Sequence, residues 1–184
     1  ISLDQKIPIN SVSKPQRYSD TPELLAKRSI GLAKLKELSG WFNMVDSRQG
    51  SSIEYIERTI DSYHKELENT GLKLVVFIDN FHDVTTENSS ANKDSNARYD
   101  FIAGKLDSIS TVYDVPIICT AEFRKLNGTR RPIVDDVRET TKISYIAKAI
   151  ILCYNEVGLK GQNADVYYNR PGIQDKFPVL EVHI

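Results

Sequence analysis

The segment Lys73 to Val84 reads KLVVFIDNFHDV, with five apolar residues between Lys73 and Asp79 and a carboxylate closing the run. A short apolar run rich in β-branched and aromatic residues, preceded by a helix-stopping glycine at Gly71, predicts a strand buried on both faces of a parallel sheet. Ligands of such sheets bind beyond the carboxyl ends of the strands, which puts Asp79 at the rim where chemistry is done. The competing assignment is a strand-ending aspartate that caps the following turn. A second charged feature is FRKLNGTRRP, in which Arg124, Lys125, Arg130 and Arg131 surround a glycine-containing turn. Such a loop can neutralise phosphates of a nucleic-acid backbone, or it can be an ordinary solvated turn. The three histidines, His64, His82 and His183, form no metal-ligand set. Cys119 and Cys153 sit singly inside the apolar runs VPIICT and AIILCY, where a cysteine is expected to be a small buried hydrophobe.

These residues need a frame, and the pattern of the chain supplies one. ISLDQ opens the sequence as a strand-like segment, followed by a polar, proline-punctuated connector from Lys6 to Asp20. A helix is predicted over TPELLAKRSIGLAKLKELSG, with Thr21 as cap, Pro22 at the first helical position and Gly40 at the end. WFNMVD, Trp41 to Asp46, resembles a short strand. The next helix carries Ser51 and Glu54 at capping-box spacing and Ile53, Ile56, Ile60, Tyr63 and Leu67 on one face. After the Asp79 strand comes a polar loop, Thr85 to Asn96, and then an amphipathic helix from about Arg98 to Tyr113 with Phe101, Ile102, Leu106 and Ile109 on one side. VPIICTA and AIILCYN read as further buried strands, and ADVYYN and FPVLEVHI alternate like edge strands. Helices alternating with short apolar strands predict an α/β layered domain with a largely parallel sheet.

Composition narrows the class. At 184 residues, with 40% hydrophobic and 27% charged residues, the chain fits one globular domain with a core of its own. Twenty-four basic against 25 acidic residues leave a net charge of −1, which excludes a chain that wraps nucleic acid through its overall charge. Any such contact must be local or shared among subunits. Isolated cysteines fit an intracellular, reducing compartment, and a cytoplasmic location is expected. No stretch approaches the roughly 18 consecutive apolar residues of a membrane span, so no membrane association is expected. The sequence begins with Ile1 rather than a methionine, in strand-like sequence, as a piece of something longer would.

Several ordered segments carry a family resemblance. ISLDQ is similar to a strand ending in Ser-Leu-Glu, VVFIDN to a Walker B strand, and VPIICTAEFRKL to a Val-Pro-Val-Ile-x-x-Ser-Gln-Leu-Asn-Arg strand and loop. RRPIVDDVRETTKISYIAKAIILCYNE follows, without a gap, an Arg-Pro-x-x-x-Asp-Leu-Arg-Glu-Ser-Gly-x-Ile segment and its next strand. Together they resemble the DnaB-type replicative helicases, whose motor is a RecA-like ATPase domain, with order and spacing agreeing from Lys73 to Glu156. Lys6 to Ser39 departs from the pattern, and the turn and helix that normally follow the first strand are shortened or absent.

The resemblance implies one RecA-like ATPase domain over residues 1–184, a mostly parallel sheet flanked by helices. It implies an ATP-dependent replicative helicase that uses ATP and Mg²⁺ to translocate on single-stranded DNA and unwind duplex. By motif position, Asp79 would hold Mg²⁺ through its water shell, since Mg²⁺ keeps several waters and accepts one or two carboxylates beside the phosphates. Asp4 would take the place of the catalytic glutamate that orients water, and Glu122 that of a glutamine sensing the γ-phosphate. Arg138 and Glu139 match an Arg-Glu pair that links nucleotide state to a DNA-facing loop, and Arg124, Lys125, Arg130 and Arg131 would face single-stranded DNA. The implied partners are further copies in a ring, a hexamer, with primase or a helicase loader. No Gly-x-x-x-x-Gly-Lys-Ser/Thr loop occurs in the 184 residues. In the family it lies upstream of the segment resembling ISLDQ, and VLEVHI resembles the strand that runs into a basic Lys-x-Arg finger. The segment by itself is therefore expected to be inactive. Asp4 is one methylene shorter than the family's acid, Glu122 is anionic, and SYIAK, Ser144 to Lys148, replaces Glu-Gln-Asp-Ala-Asp. Those departures are the ground for two alternatives, a non-catalytic interaction or loader-like module of the same fold, or a RecA-like ATPase not coupled to unwinding.

Overall fold

A computed structural model describes residues 2–124, 130–137, 142–169 and 171–183. Its contacts divide the chain into two compact units, Ile1–Gln49 and Gly50–Ile184.

The first unit is helical. It contains α1 (Ser2–Gln5), α2 (Ile9–Ser13) and α3 (Pro22–Leu38). The strand expected of ISLDQ is not formed. A strand needs a ladder partner for its backbone groups, and among the described residues none pairs with these. The segment instead coils on itself, with the Ser2 hydroxyl donating to the Ile7 carbonyl at 2.6 Å and the Ile7 N–H donating to the Ser2 carbonyl at 3.0 Å. α3 matches its predicted span, with Pro22 in its first turn. WFNMVD is also not a strand: a 3₁₀ turn, Ser39–Trp41, leads into unpaired backbone, and Trp41, Phe42 and Met44 are exposed.

The second unit begins with α4 (Ile53–Leu67). Its cap is Ser52, whose hydroxyl accepts the Tyr55 N–H. The expected box between Ser51 and Glu54 is replaced because Glu54 is used elsewhere: its carboxylate accepts the Thr86 hydroxyl at 2.6 Å and the Glu87 N–H at 3.0 Å. β1 (Val76–Ile78) follows, then α5 (Ser95–Tyr113), which starts three residues earlier than predicted because Asp94 caps it by accepting the Ala97 N–H at 2.7 Å. β2 (Ile117–Cys119) pairs parallel with β1, in register Val76 to Ile117 and Ile78 to Cys119. The remaining elements are α6 (Lys142–Ile146), β3 (Leu152–Tyr154), α7 (Glu156–Lys160), β4 (Tyr168–Asn169), β5 (Lys176–Phe177) and β6 (Glu181–His183).

The core explains the layering. Ile53 and Ile60 of α4 and Tyr99, Ile102, Ala103, Leu106 and Ile109 of α5 are buried together with Phe81, Val84 and Val115. Val76 and Ile78 of β1 and Ile117 and Cys119 of β2 pack on this cluster. Since successive side chains of a strand point to opposite faces, both helices cover one face of the parallel pair. The opposite face stays open, with Phe77 72% and Ile118 50% exposed. Strands expected to be buried on both faces are therefore buried on one.

The largely parallel sheet is likewise corrected. Among the described residues the only parallel pair is β1 and β2, while β3 pairs antiparallel with β6, and β4 with β5. Leu152 and Tyr154 of β3 are buried and Cys153 points outward, the one-faced alternation of an antiparallel strand. Cys153 is thus exposed, contrary to expectation. Burial pushes the Cys119 thiol up to about 11, so it stays protonated near neutrality. Among the described residues, no helix is long and apolar enough to cross a membrane.

Candidate functional site

β1 and β2 run in the same direction, so both carboxyl ends open at one rim. Asp79 follows β1 and Thr120 follows β2, and the Thr120 hydroxyl donates to Asp79 Oδ1 at 2.5 Å. The two strand exits are laced together by backbone as well. The Thr120 N–H donates to the Ile78 carbonyl at 3.0 Å, and the Phe81 N–H donates to the Thr120 carbonyl at 2.8 Å. Asn80, joined to Asp79 by a cis peptide bond, caps the turn Phe81–Asp83 by accepting the His82 and Asp83 N–H groups. The turn is therefore capped by Asn80, and the exposed Asp79 carboxylate is left to Thr120 and solvent.

That donor set fits a hard cation. Asp79 offers a carboxylate at a rigid strand end, with a hydroxyl beside it, and Mg²⁺ prefers oxygen ligands and completes its octahedron with water and phosphate. No group of three or more His, Cys, Asp or Glu side chains converges among the described residues, so an all-protein metal cage is not available there. Glu122 lies two residues past Thr120 with its side chain exposed, and its N–H donates to His82 Nδ1 at 3.3 Å.

Asp4 belongs to the first unit. It sits on α1 rather than at a strand end, and its carboxylate accepts from Lys34 Nζ at 2.6 Å and from Gln5 Nε2 at 2.7 Å. The hydrogen bond from Lys34, and then that from Gln5, hold its carboxyl below the usual range.

The basic residues after β2 are for the most part committed to carboxylates. Arg130 makes a bidentate pair with Asp136, Nη1 and Nη2 each 2.6 Å from an oxygen, and Asp136 is 4% exposed. The Ile133 N–H also donates to Asp136 at 2.8 Å. Hydrogen bonding from Arg130, then from Ile133, holds the Asp136 carboxyl down to about 2. Arg131 donates to Glu181 of β6 at 2.9 and 3.2 Å, lies 3.7 Å from Glu156 at the start of α7, and stands over the Tyr154 ring at 5.5 Å. Glu156 is 1% exposed and is held by Lys160 and by the Val166 N–H at 2.8 Å, with its carboxyl lowered in consequence. The Arg130–Asp136 pair closes the segment before α6 on itself and Arg131 ties that segment to the β3–β6 sheet, structural tasks that charge counting in the sequence did not signal. Arg124 is freer, with a 60% exposed side chain 4.0 Å from Asp136. Lys125, Arg138 and Glu139 lie outside the described residues. In the SYIAK region, Ile143 and Ile146 of α6 pack against the core, so the segment without the expected carboxylates serves as an apolar clasp.

A family model for the DnaB-like helicase C terminal domain matches residues 3–177. The chain belongs to that family. It is also similar to a solved structure of a DnaB-like replicative helicase, described together with that protein's interactions with primase, at TM-score 0.72 and 19% identity. The match covers 97% of this chain and 42% of the solved one, so the chain spans less than half of that helicase's length, and at this identity the likeness bears on fold. No curated protein matches the chain.

Proposed function

We propose that this domain is the motor part of a ring-forming replicative DNA helicase, in which ATP and Mg²⁺ meet the rim formed by the exits of β1 and β2. The observation that carries this is the carboxylate of Asp79 fixed beside Thr120 at the shared carboxyl end of two parallel strands, within a DnaB-like helicase C-terminal domain. Asp79 would hold Mg²⁺ through water, with Thr120 orienting the carboxylate. When bound, the metal would neutralise charge developing on the transferring phosphoryl group. Glu122 would stand near the terminal phosphate, its charge offset by Arg124 or the metal. Asp4 is kept as the acid that orients water, which requires it to leave or share Lys34. Arg138 and Glu139 would pass nucleotide state to the DNA-facing segment, in which Arg124 and Lys125 are the phosphate contacts and Arg130 and Arg131 brace the loop ends.

The commitment of Asp4 to Lys34 and of Arg130 and Arg131 to buried or partly buried acids favours a second reading, an interaction or loader-like module that keeps the fold without turnover. The complete protein distinguishes them. Helicase function is expected to appear as Mg²⁺-dependent ATP hydrolysis stimulated by single-stranded DNA, with separation of a forked duplex. Hydrolysis without strand separation would leave an ATPase not coupled to unwinding, and absence of both would support the non-catalytic module.

A further inference from the structure

The polar segment between Val84 and Asp94 lies against the first turn of α4. Thr85 forms a parallel bridge to Ser52, its N–H donating to the Ser51 carbonyl at 2.9 Å and its carbonyl accepting the Ile53 N–H at 2.8 Å. The Ser51 and Thr85 hydroxyls are 3.2 Å apart. Glu54 takes the next two residues, accepting the Thr86 hydroxyl at 2.6 Å and the Glu87 N–H at 3.0 Å. The Glu87 carboxylate receives the Ser52 hydroxyl at 3.0 Å and Arg58 at 3.4 Å, and Asn92 Nδ2 donates back to the Thr86 carbonyl at 2.9 Å. Thr86 is 6% exposed in consequence. A stretch that its composition marks as an open loop is a strap laid on a helix end.

The ends of the strap are fixed independently of that contact. Val84 is buried in the core on one side, and on the other Asp94 caps α5 through the Ala97 N–H. Ser51 and Glu54 are the pair whose spacing predicts a capping box, in which the serine hydroxyl accepts the N–H three residues on and the glutamate reaches back to the serine N–H. In the structure both side chains are turned to the strap, and α4 is capped one residue later by Ser52. Local preference and tertiary contact thus compete for the same two side chains. Because the box would give the Glu54 carboxylate a new donor, leaving the strap does not orphan it.

We infer that the start of α4 is a two-position latch. In the closed position, the one in the structure, Ser51 and Glu54 hold the segment 85–93 against α4 together with Ser52 and Arg58. In the open position Ser51 and Glu54 close the capping box of their own helix, α4 begins one residue earlier, and the segment 85–93 is released while Val84 and Asp94 stay in place. The latch is a conformational device on the chain that leaves the carboxyl end of β1, and it does not depend on the rim being a nucleotide site. The two positions predict a sign. Removing a side chain that only holds the strap loosens it, whereas removing one that also caps the open form destabilises that form and tightens the strap.

Deuterium uptake over the segment 85–93 of the complete protein reads the open population. Thr86→Val keeps the shape of a buried side chain and removes its donor to Glu54, so uptake is expected to quicken by about 10-fold. Adding Ser51→Ala takes the cap from the open form and is expected to slow uptake again by about 3-fold, since a capping hydroxyl is worth about 5-fold and the lost bond to Thr85 returns part of that. Asn92→Ala, a change at an exposed residue that loosens the strap through the Thr86 carbonyl, gives the same pair of comparisons should Thr86→Val not fold. Unchanged uptake in the folded Thr86→Val and Asn92→Ala proteins overturns the latch. Faster uptake that Ser51→Ala leaves as it is or quickens further means a strap with one position, and overturns the open form.

Discussion

Replacing Arg130 by alanine distinguishes a brace from a DNA contact. In the structure its guanidinium closes both oxygens of Asp136, which is 4% exposed and otherwise receives only the Ile133 N–H at 2.8 Å and Arg124 at 4.0 Å. The pair holds the Asp136 carboxyl near 2, against an ordinary 3.8, and Arg130 is the largest cause. With that donor gone, burial works against the carboxylate with one backbone hydrogen bond and a distant cation to oppose it. The Asp136 pKa is expected to climb by at least half of the interval between about 2 and 3.8. Because the folded pKa lies below the unfolded one, the pair's contribution is complete above the unfolded value and is lost as the pH falls from 3.8 towards 2. Arg130→Ala should therefore lower the melting temperature at pH 7 and lower it much less near pH 2. Adding Asp136→Asn should return part of the loss, since the uncompensated acid is then gone. Carboxyl carbon NMR titration with thermal unfolding at the two pH values reads all of this. An Asp136 pKa and melting temperature both unmoved by Arg130→Ala, with weaker binding of single-stranded DNA, would refute the brace and make Arg130 a free phosphate contact.

Three further outcomes are expected. Arg124→Gln should weaken single-stranded DNA binding by the assembled protein and reduce the slope of log affinity against log salt by about 1, with little change in hydrolysis without DNA; an unchanged slope would return Arg124 to the solvated surface. Ile102, at 0% exposure in the middle of α5, should cost about 2–5 kcal/mol when cut to alanine, read by denaturant unfolding, and a loss below about 1 kcal/mol would mean that the α5 face is not the core described. Asp4→Glu restores the longer acid of the family and should keep or raise turnover, while a large fall would show a site built around the shorter side chain or around the Lys34 pair.

α4 and α5 were legible in the sequence because their apolar residues repeat at helical spacing, and Ile53, Ile60, Ile102, Leu106 and Ile109 are buried as that spacing requires. β1 and β2 were legible as strands but not in their surroundings. An apolar run such as LVVFI says that both faces are greasy, yet whether a layer covers the Phe77 face is decided by other segments. ISLDQ failed as a strand for a related reason, since a strand exists only with a partner and a partner is a long-range fact. Family resemblance singled out Asp79 and its neighbourhood for the proposed site. It could not show that Arg131 is spent on Glu156 and Glu181, because those acids lie 25 and 50 residues away, and although Asp136 is only six residues from Arg130, nothing in the sequence says that the arginine folds back onto it rather than facing solvent. The hydrogen bond from the Glu122 N–H to His82 Nδ1 was missed on the same ground, since it joins residues 40 positions apart.

The central claim is that Asp79 is a metal-holding acid rather than a turn cap, and its most direct test is Asp79→Asn in the complete protein. Asparagine keeps the volume and can still accept the Thr120 hydroxyl through Oδ1, and the turn is capped by Asn80, so the melting temperature should be unchanged. Mg²⁺-dependent ATP hydrolysis should fall by about 100-fold or more, because the one carboxylate at the rim end of β1 is gone. Hydrolysis at the parent's rate by the folded variant would contradict the claim.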